Sequence, residues 1–357
     1  MEIGDHLDKL KKQVNSELRI FFKSEIKRVK IDNNSEELLE IIKSLEKFIL
    51  NSGKRIRPIL FYFGYIIGGG KKRNEALKTS IAVELIHSYF LIHDDIIDRD
   101  DFRHGDFSMH YSYEKKAKDK FKNTDSKHFG ISMAIIVGDL ALTLGYKILN
   151  NSDFKNDLKV KALNNLDEIV YHTIFGQALD LTINKTENFN IEKIFEMQKY
   201  KTAKYTIEGP LSIGAILAGS DEKFLSSLSR FAIPAGIAFQ IQDDIIGIFG
   251  NEKKTGKHVG SDIKEGKKTL LIANAMEKAD GVQRQILNNA LGNENINSNN
   301  INNVRDVIIK TGSLEFSKNK AKELIKDAKE SLNDLKISEV NKKFLNDLAD
   351  FIIQRKY

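Results

Sequence analysis

Residues 81–98 read IAVELIHSYFLIHDDIID, and the fold turns on how this stretch is read. Ile81, Val83, Leu85, Ile86, Tyr89, Phe90, Leu91 and Ile92 make an apolar run that fits a buried or nearly buried helix. Asp94, Asp95 and Asp98 then place three carboxylates within five residues at the end of that run. On a helix, residues four apart share a face, with Cβ atoms about 5–6 Å apart. Asp94 and Asp98 therefore point one way, and Asp95 is turned aside. Two unpaired carboxylates on one inward face repel each other and lose hydration. A hard divalent cation removes both problems, because Mg²⁺ is commonly held by one or two carboxylates plus phosphate oxygens. Taken alone, the same residues would serve as a solvated acidic helix end paired with Arg99 or Arg103.

A second acidic cluster favours the metal. Asp243 and Asp244 stand in Phe239-Gln240-Ile241-Gln242-Asp243-Asp244-Ile245-Ile246-Gly247, after the apolar positions Phe231, Ile233, Ala235, Ile237 and Ala238. Two carboxylate clusters ending apolar helices suggest two walls of one cavity with metal ions between them. The expected ligand is polyanionic and phosphate-rich at one end. Its other end is greasy, because the residues preceding the carboxylates are apolar and aromatic.

The bulk composition narrows the class. At 357 residues the chain makes one large domain or two ordinary ones. Its 56 basic and 50 acidic residues are interspersed and leave a net charge of +6, which is not a nucleic-acid-binding composition. The chain has no cysteine, which excludes disulfides, thiolate metal sites and cysteine nucleophiles, and fits a cytoplasmic location. Residues 1–20 mix charged and apolar groups, so no signal peptide is read there. No apolar run is read as reaching the ~18–20 residues that a membrane span needs. Only Pro58, Pro210 and Pro234 interrupt the potential for helix, and period-two alternation is scarce, so the chain reads as all-α.

In chain order, residues 1–50 read as two amphipathic helices with a break near Asp32-Asn33-Asn34-Ser35, where Asn34 or Ser35 caps the second. Gly53-Lys54-Arg55-Ile56-Arg57-Pro58 precedes an apolar helix, and basic groups before a helix start make an anion site. Read alone, that stretch serves equally as a surface basic loop. His87 lies two helical turns before Asp94, and Tyr89 and Phe90 lie just before it, as core groups or as pocket lining. Arg103-His104-Gly105 falls in a turn or loop, where a cation could meet the phosphate that the metals hold. Residues 112–128 are dense in lysine and read as an inserted mobile surface loop. Residues 288–303 are asparagine-rich and read as a solvated loop or frayed helix end. Glycines among lysines at Gly256-Lys257 and Gly266-Lys267-Lys268-Thr269 suggest a loop that closes over phosphate, without the spacing of a Walker loop. No linker is evident, so residues 1–357 read as a single domain.

In this order the motifs resemble the trans-isoprenyl diphosphate synthases, the short-chain polyprenyl synthetases. The resemblance rests on GKRIRP at 53–58, DDIID at 94–98, GQALD at 176–180, KTA at 201–203, FQIQDD at 239–244 and the glycine-lysine loop at 256–269. It implies an all-α, single-domain antiparallel helical bundle around a deep central cavity (the type I isoprenoid synthase fold), usually a homodimer. It implies Mg²⁺ as cofactor, three ions per site with Mn²⁺ as a substitute, held by Asp94, Asp98 and Asp243 with Asp95 and Asp244 in support. Arg103, Lys201 and Lys257 resemble residues that bind the allylic diphosphate, with Lys267 in the same loop. Lys54, Arg57 and His87 resemble the isopentenyl diphosphate site, with His104 beside it. Gln177, Thr202 and Gln240 would place dipoles near an allylic cation. The implied reaction is ionisation, condensation and elimination, joining isopentenyl diphosphate to dimethylallyl, geranyl and, in a longer product, farnesyl diphosphate.

Departures from the family pattern carry expectations of their own. His104 stands where an arginine is usual, and histidine is only partly charged near neutrality, so isopentenyl diphosphate should bind better as pH falls towards about 6. Gly247 replaces the last aspartate of the second motif, with little loss expected. Two bulky groups at Tyr89 and Phe90 point to farnesyl diphosphate (C15), with geranylgeranyl diphosphate (C20) or a bifunctional enzyme as the alternative. A class I terpene cyclase would carry a different second metal motif, and a non-catalytic regulatory subunit would have lost one aspartate cluster.

Overall fold

The computed structural model describes residues 3–32, 35–51, 53–103, 105–186, 190–250, 260–293 and 295–354. They are overwhelmingly helical and divide into two units. The first comprises residues 1–163 and 213–219; the second comprises residues 164–212 and 220–357.

The first unit opens with α1 (Ile3–Asp32), which buries Leu7, Leu10, Val14, Leu18 and Phe22, spaced three or four apart along one stripe. After the break, α2 (Glu36–Asn51) is capped by Ser35, whose Oγ accepts the Leu38 N–H at 3.3 Å. Next come α3 (Ile56–Ile67) and α4 (Arg73–Asp98), the helix of the first aspartate cluster. A two-stranded antiparallel hairpin follows, pairing Phe102 with Phe107 and Arg103 with Asp106 around Gly105, whose φ is +79°. The unit continues with α5 (Met109–Lys120) and α6 (Ser126–Asn150), and α4 packs extensively on α6.

The lysine-rich stretch expected as a mobile loop over 112–128 is therefore helical up to Lys120 and again from Ser126. Met109, Tyr113 and Ala117 recur every fourth residue and are buried. The lysines between them mask that stripe in composition. Lys116 and Lys120 pair with Glu40, at 2.8 and 3.5 Å, and Lys118 with Glu114 at 2.6 Å.

The second unit takes the later part of α7 (Asn156–Lys185), then α8 (Ile191–Gln198) and a π-helix over Lys199–Glu208. After α9 (Gly209–Leu217), with Pro210 in its first turn and its residues from Ile213 belonging to the first unit, comes α10 (Glu222–Phe249), which is N-capped by Asp221. Pro234 lies inside α10 and leaves the carbonyl four residues earlier without its usual N–H. Further helices cover Ser261–Lys264, Leu270–Lys278, Gly281–Ala290, Ser298–Lys310, Ser313–Ser331 and Glu339–Gln354. The asparagine-rich stretch is thus partly helical. Asn297 and Asn300 form a reciprocal capping box, at 3.0 and 3.1 Å, that starts the helix Ser298–Lys310.

Helices Ser126–Asn150 and Glu222–Phe249 are long and apolar enough to cross a membrane by length and composition, contrary to the expectation that no run reaches that length. Both are packed helices. Ala134, Val137, Ala141 and Leu144 are buried in α6; Phe231, Ala235, Ala238 and Ile241 are buried in α10. A membrane span is not indicated.

Candidate active site

The first carboxylate cluster ends α4, as the spacing predicts. Asp94 and Asp98 are half-buried and Asp95 is fully buried. Asp95 turns to Arg103, whose Nε donates to Oδ1 at 2.7 Å while Nη2 bonds the same oxygen. Asp95 Oδ2 has no hydrogen-bond partner. Burial raises the Asp95 carboxyl to about 7, against the pull of Arg103. Arg103, expected on a diphosphate, is thus anchored by a carboxylate of the aspartate motif itself. Tyr89 makes tilted ring contacts with Phe90 and His93, with ring centroids at 4.8 and 4.5 Å. Phe90, Asp94 and Asp98 recur every fourth residue and share a face, and Tyr89 falls off it.

The basic cluster lies at the start of α3. Lys54 is exposed, and Arg57 Nη1 meets His87 Nε2 at 3.1 Å. Arg55, which sequence reading passed over, is buried between them. Its backbone is left-handed, φ 56° and ψ 28°, which costs a non-glycine residue on the order of 1 kcal/mol or more. Its guanidinium bonds Asn15 Oδ1 at 2.8 Å, Glu84 Oε1 at 2.5 Å and the Ile49 carbonyl at 2.5 Å. Bonds to charged groups contribute about 1.5–3 kcal/mol each, enough to hold the strain.

In the second unit, Thr202 donates to Gln240 Oε1 at 2.7 Å, and Gln240 Nε2 donates to Asp244 Oδ1 at 2.7 Å. Gln198 Nε2 donates to the other Asp244 oxygen at 3.2 Å. This chain fixes the amide of Gln240 and the carboxylate beside Asp243. Burial, then the neighbouring Asp262, raises the Asp244 carboxyl well above its ordinary range, with Gln240 opposing. Lys201 Nζ bonds Asp180 Oδ2 at 2.5 Å, joining the GQALD and KTA motifs. The GQALD residues lie inside α7, which continues to Lys185, and Gln177 Nε2 is buried without a partner.

Lys201, Thr202 and Ala203 all lie in the π-helix, an irregularity frequent at functional sites. Two glycines admit it. A Cβ at Gly176 would stand 2.3 Å from the Lys201 backbone nitrogen, and one at Gly236 would stand 2.5 Å from Ala203 Cα. Gly247 has a related role. A Cβ there would lie 2.4 Å from Asp262 Oδ2, so the space beside position 247 is filled by a carboxylate from downstream. Asp262 was missed as a member of this cluster because its stretch was read for glycines and lysines. Lys267 pairs with Glu265 and lies 3.8 Å from Asp262. Lys257, with Thr255 and Gly256, and His104 lie outside the described residues.

Among the described residues, no group of three or more His, Asp or Glu stands ready to hold a metal alone. Carboxylate oxygens are hard donors of the kind that Mg²⁺ takes together with phosphate oxygens.

Residues 39–308 match the polyprenyl synthetase family, and the chain belongs to it; it is a prenyltransferase. It is 32% identical to a geranylgeranyl diphosphate synthase of Sulfolobus acidocaldarius, over 86% of this chain and 88% of that one. It is 34% identical to a short chain isoprenyl diphosphate synthase of Methanocaldococcus jannaschii, over 85% and 86%. The crystal structure of a geranylgeranyl pyrophosphate synthase from Corynebacterium glutamicum, complexed with isoprenyl diphosphate and magnesium, superposes with a TM-score of 0.92 at 30% identity, covering 98% of this chain and 99% of that one.

Proposed function

We propose that this chain, residues 1–357 acting as one synthase domain, joins isopentenyl diphosphate to allylic diphosphates and releases geranylgeranyl diphosphate (C20). The observation that carries the reaction is the pair of aspartate clusters on core helices, the first at the end of α4 and the second inside α10, which runs on to Phe249, steadied there by the Thr202–Gln240–Asp244 chain. Asp94, Asp98 and Asp243 would hold Mg²⁺, which when bound stabilises the leaving diphosphate. Lys201 and Lys257 bind the allylic diphosphate, and Arg103 steadies Asp95 beside the first cluster. Lys54, Arg57 and His87 bind isopentenyl diphosphate. The allylic C–O bond breaks and the diphosphate leaves with the electron pair. The isopentenyl double bond then forms the new C–C bond, and the proton lost from the adjacent carbon passes to the departing diphosphate. The oxygen ends of the Gln240 and Thr202 dipoles, held by the bonds to each other and to Asp244, would stabilise developing positive charge without reorganisation.

The C20 product is favoured over the C15 expected from Tyr89 and Phe90 together. Only Phe90 shares the face of Asp94 and Asp98, while Tyr89 leans on His93. One bulky group below the carboxylates is a weaker stop than two, and relatives named geranylgeranyl synthases match over most of the chain. We further propose a homodimer in the cytoplasm. Tyr171, Ile174, Phe175 and Leu181 expose a contiguous apolar stripe on α7, as a subunit contact requires.

Incorporation of labelled isopentenyl diphosphate in Mg²⁺ tests the assignment. Asp94→Asn and Asp243→Asn should each lose at least about 10²-fold in kcat, the scale of removing one electrostatic stabiliser. Full activity in either variant would remove that residue from the site.

A further inference from the structure

We propose that Arg55 and Glu84 are a positioning pair for the isopentenyl diphosphate site, holding Lys54 and Arg57 in register without touching substrate. The proposal rests on the assignment of Lys54, Arg57 and His87 to that substrate. Arg55 is 4% exposed, and all three guanidinium nitrogens are bonded internally, to Asn15 of α1, to the Ile49 carbonyl of α2 and to Glu84 of α4. It is therefore committed to the protein and not to a ligand. Its left-handed backbone is the joint between Lys54 and α3. A residue there in the ordinary helical or extended region would send the chain into α3 along a different path and change the placement of Lys54 relative to Arg57.

Gly53 belongs to the same device. Its φ is +128°, and a Cβ there would lie 2.6 Å from Arg55 Nη1, so only glycine lets the guanidinium reach Glu84. Glu84 and His87 sit three apart on α4, one turn of a single helix. Glu84 fixes Arg55, and His87 meets Arg57 at 3.1 Å. Two contacts a turn apart on one rigid element thus hold both ends of the basic loop. Glu84 carries no signal in the sequence, where it is one charge inside an apolar run.

The test is steady-state kinetics with both substrates, alongside thermal melting, on Glu84→Gln, Arg55→Lys and the paired apolar replacement Arg55→Met with Glu84→Met. Replacing a buried ion pair by well-packed apolar groups is often neutral for stability, so the paired variant separates folding from positioning. The expected result is a rise of about ten-fold in KM for isopentenyl diphosphate in all three, with the allylic KM moving far less; misplacement of about 1 Å can cost up to 10²-fold. Unchanged isopentenyl KM in the paired variant, or both KM values rising in step with loss of Tm, would overturn the proposal. Arg57→Ala in the same assay separates the two layers. If it raises the isopentenyl KM and the Arg55 and Glu84 variants do not, the positioning role alone is wrong. If it leaves that KM unchanged, the substrate assignment fails and the positioning role falls with it.

Discussion

Gly176→Ala sets two effects of opposite sign against each other. In a helix interior, alanine is more favourable than glycine by about 1 kcal/mol. A glycine that merely occurs in α7 should therefore gain stability on substitution. The packing says otherwise, because the added Cβ would stand 2.3 Å from the Lys201 backbone nitrogen, 2.6 Å from its Cα and 2.8 Å from its Cβ. Carbon contacts settle near 3.5–4.0 Å, so α7 and the π-helix must part by about 1 Å. Overpacking of that kind costs about 1–3 kcal/mol, and here the obstacle is backbone, which cannot rotate aside. The net expectation is a loss of up to about 2 kcal/mol. The same displacement moves the Lys201 ammonium from Asp180. Misplacement on that scale can cost up to about 10²-fold in rate. Chemical denaturation and steady-state kinetics with an allylic substrate read both effects. A variant as stable as the parent or more so, with unchanged allylic KM and kcat, would refute the close approach and its role in setting Lys201.

Three further outcomes are expected. Gly247→Asp should destabilise the metal-free protein by about 1–3 kcal/mol, because its side chain enters space held by Asp262; adding Asp262→Gly should recover much of the loss in a denaturation double-mutant cycle, and strict additivity would count against the clash. The folded-state pKa of Asp95 is raised to about 7, above its ordinary 3.8, so its contribution to metal-free stability is fully present below about pH 4 and fades as pH rises to 7. Melting of wild type in chelator should thus fall across that window more steeply than melting of Asp95→Asn, and equal slopes would contradict the burial argument. Phe90→Ala should lengthen the product more than Tyr89→Ala does, as chromatography of labelled products would reveal; equal lengthening would show that helix face does not decide the stop.

Much of this was legible in the sequence because it is carried by local periodicity. The apolar run ending at Asp94 to Asp98, the four-residue spacing of those carboxylates and the scarcity of proline fix helix and face without tertiary information. The Thr202–Gln240–Asp244 chain was legible only as separate motifs, since residues 38 and 4 apart in sequence meet through packing. Arg55, Glu84 and Asp262 were missed for one physical reason. Each acts through a partner far along the chain, and a charged residue inside an apolar run or beside a glycine looks the same whether paired or solvated. The stretch over 112–120 was misread because its four lysines outweigh Met109, Tyr113 and Ala117 in composition, although the spacing of those three is helical. The π-helix left no trace that residue patterns could reveal, because the i to i+5 bonding depends on what α7 and α10 press against it.

The most direct measurement is a product assay with Mg²⁺, labelled isopentenyl diphosphate and dimethylallyl, geranyl or farnesyl diphosphate as starter. The account predicts that all three starters are extended and that C20 accumulates. Accumulation of C15 with farnesyl diphosphate refused would contradict the single-stop argument at Phe90. No isopentenyl incorporation from any starter would contradict the synthase itself.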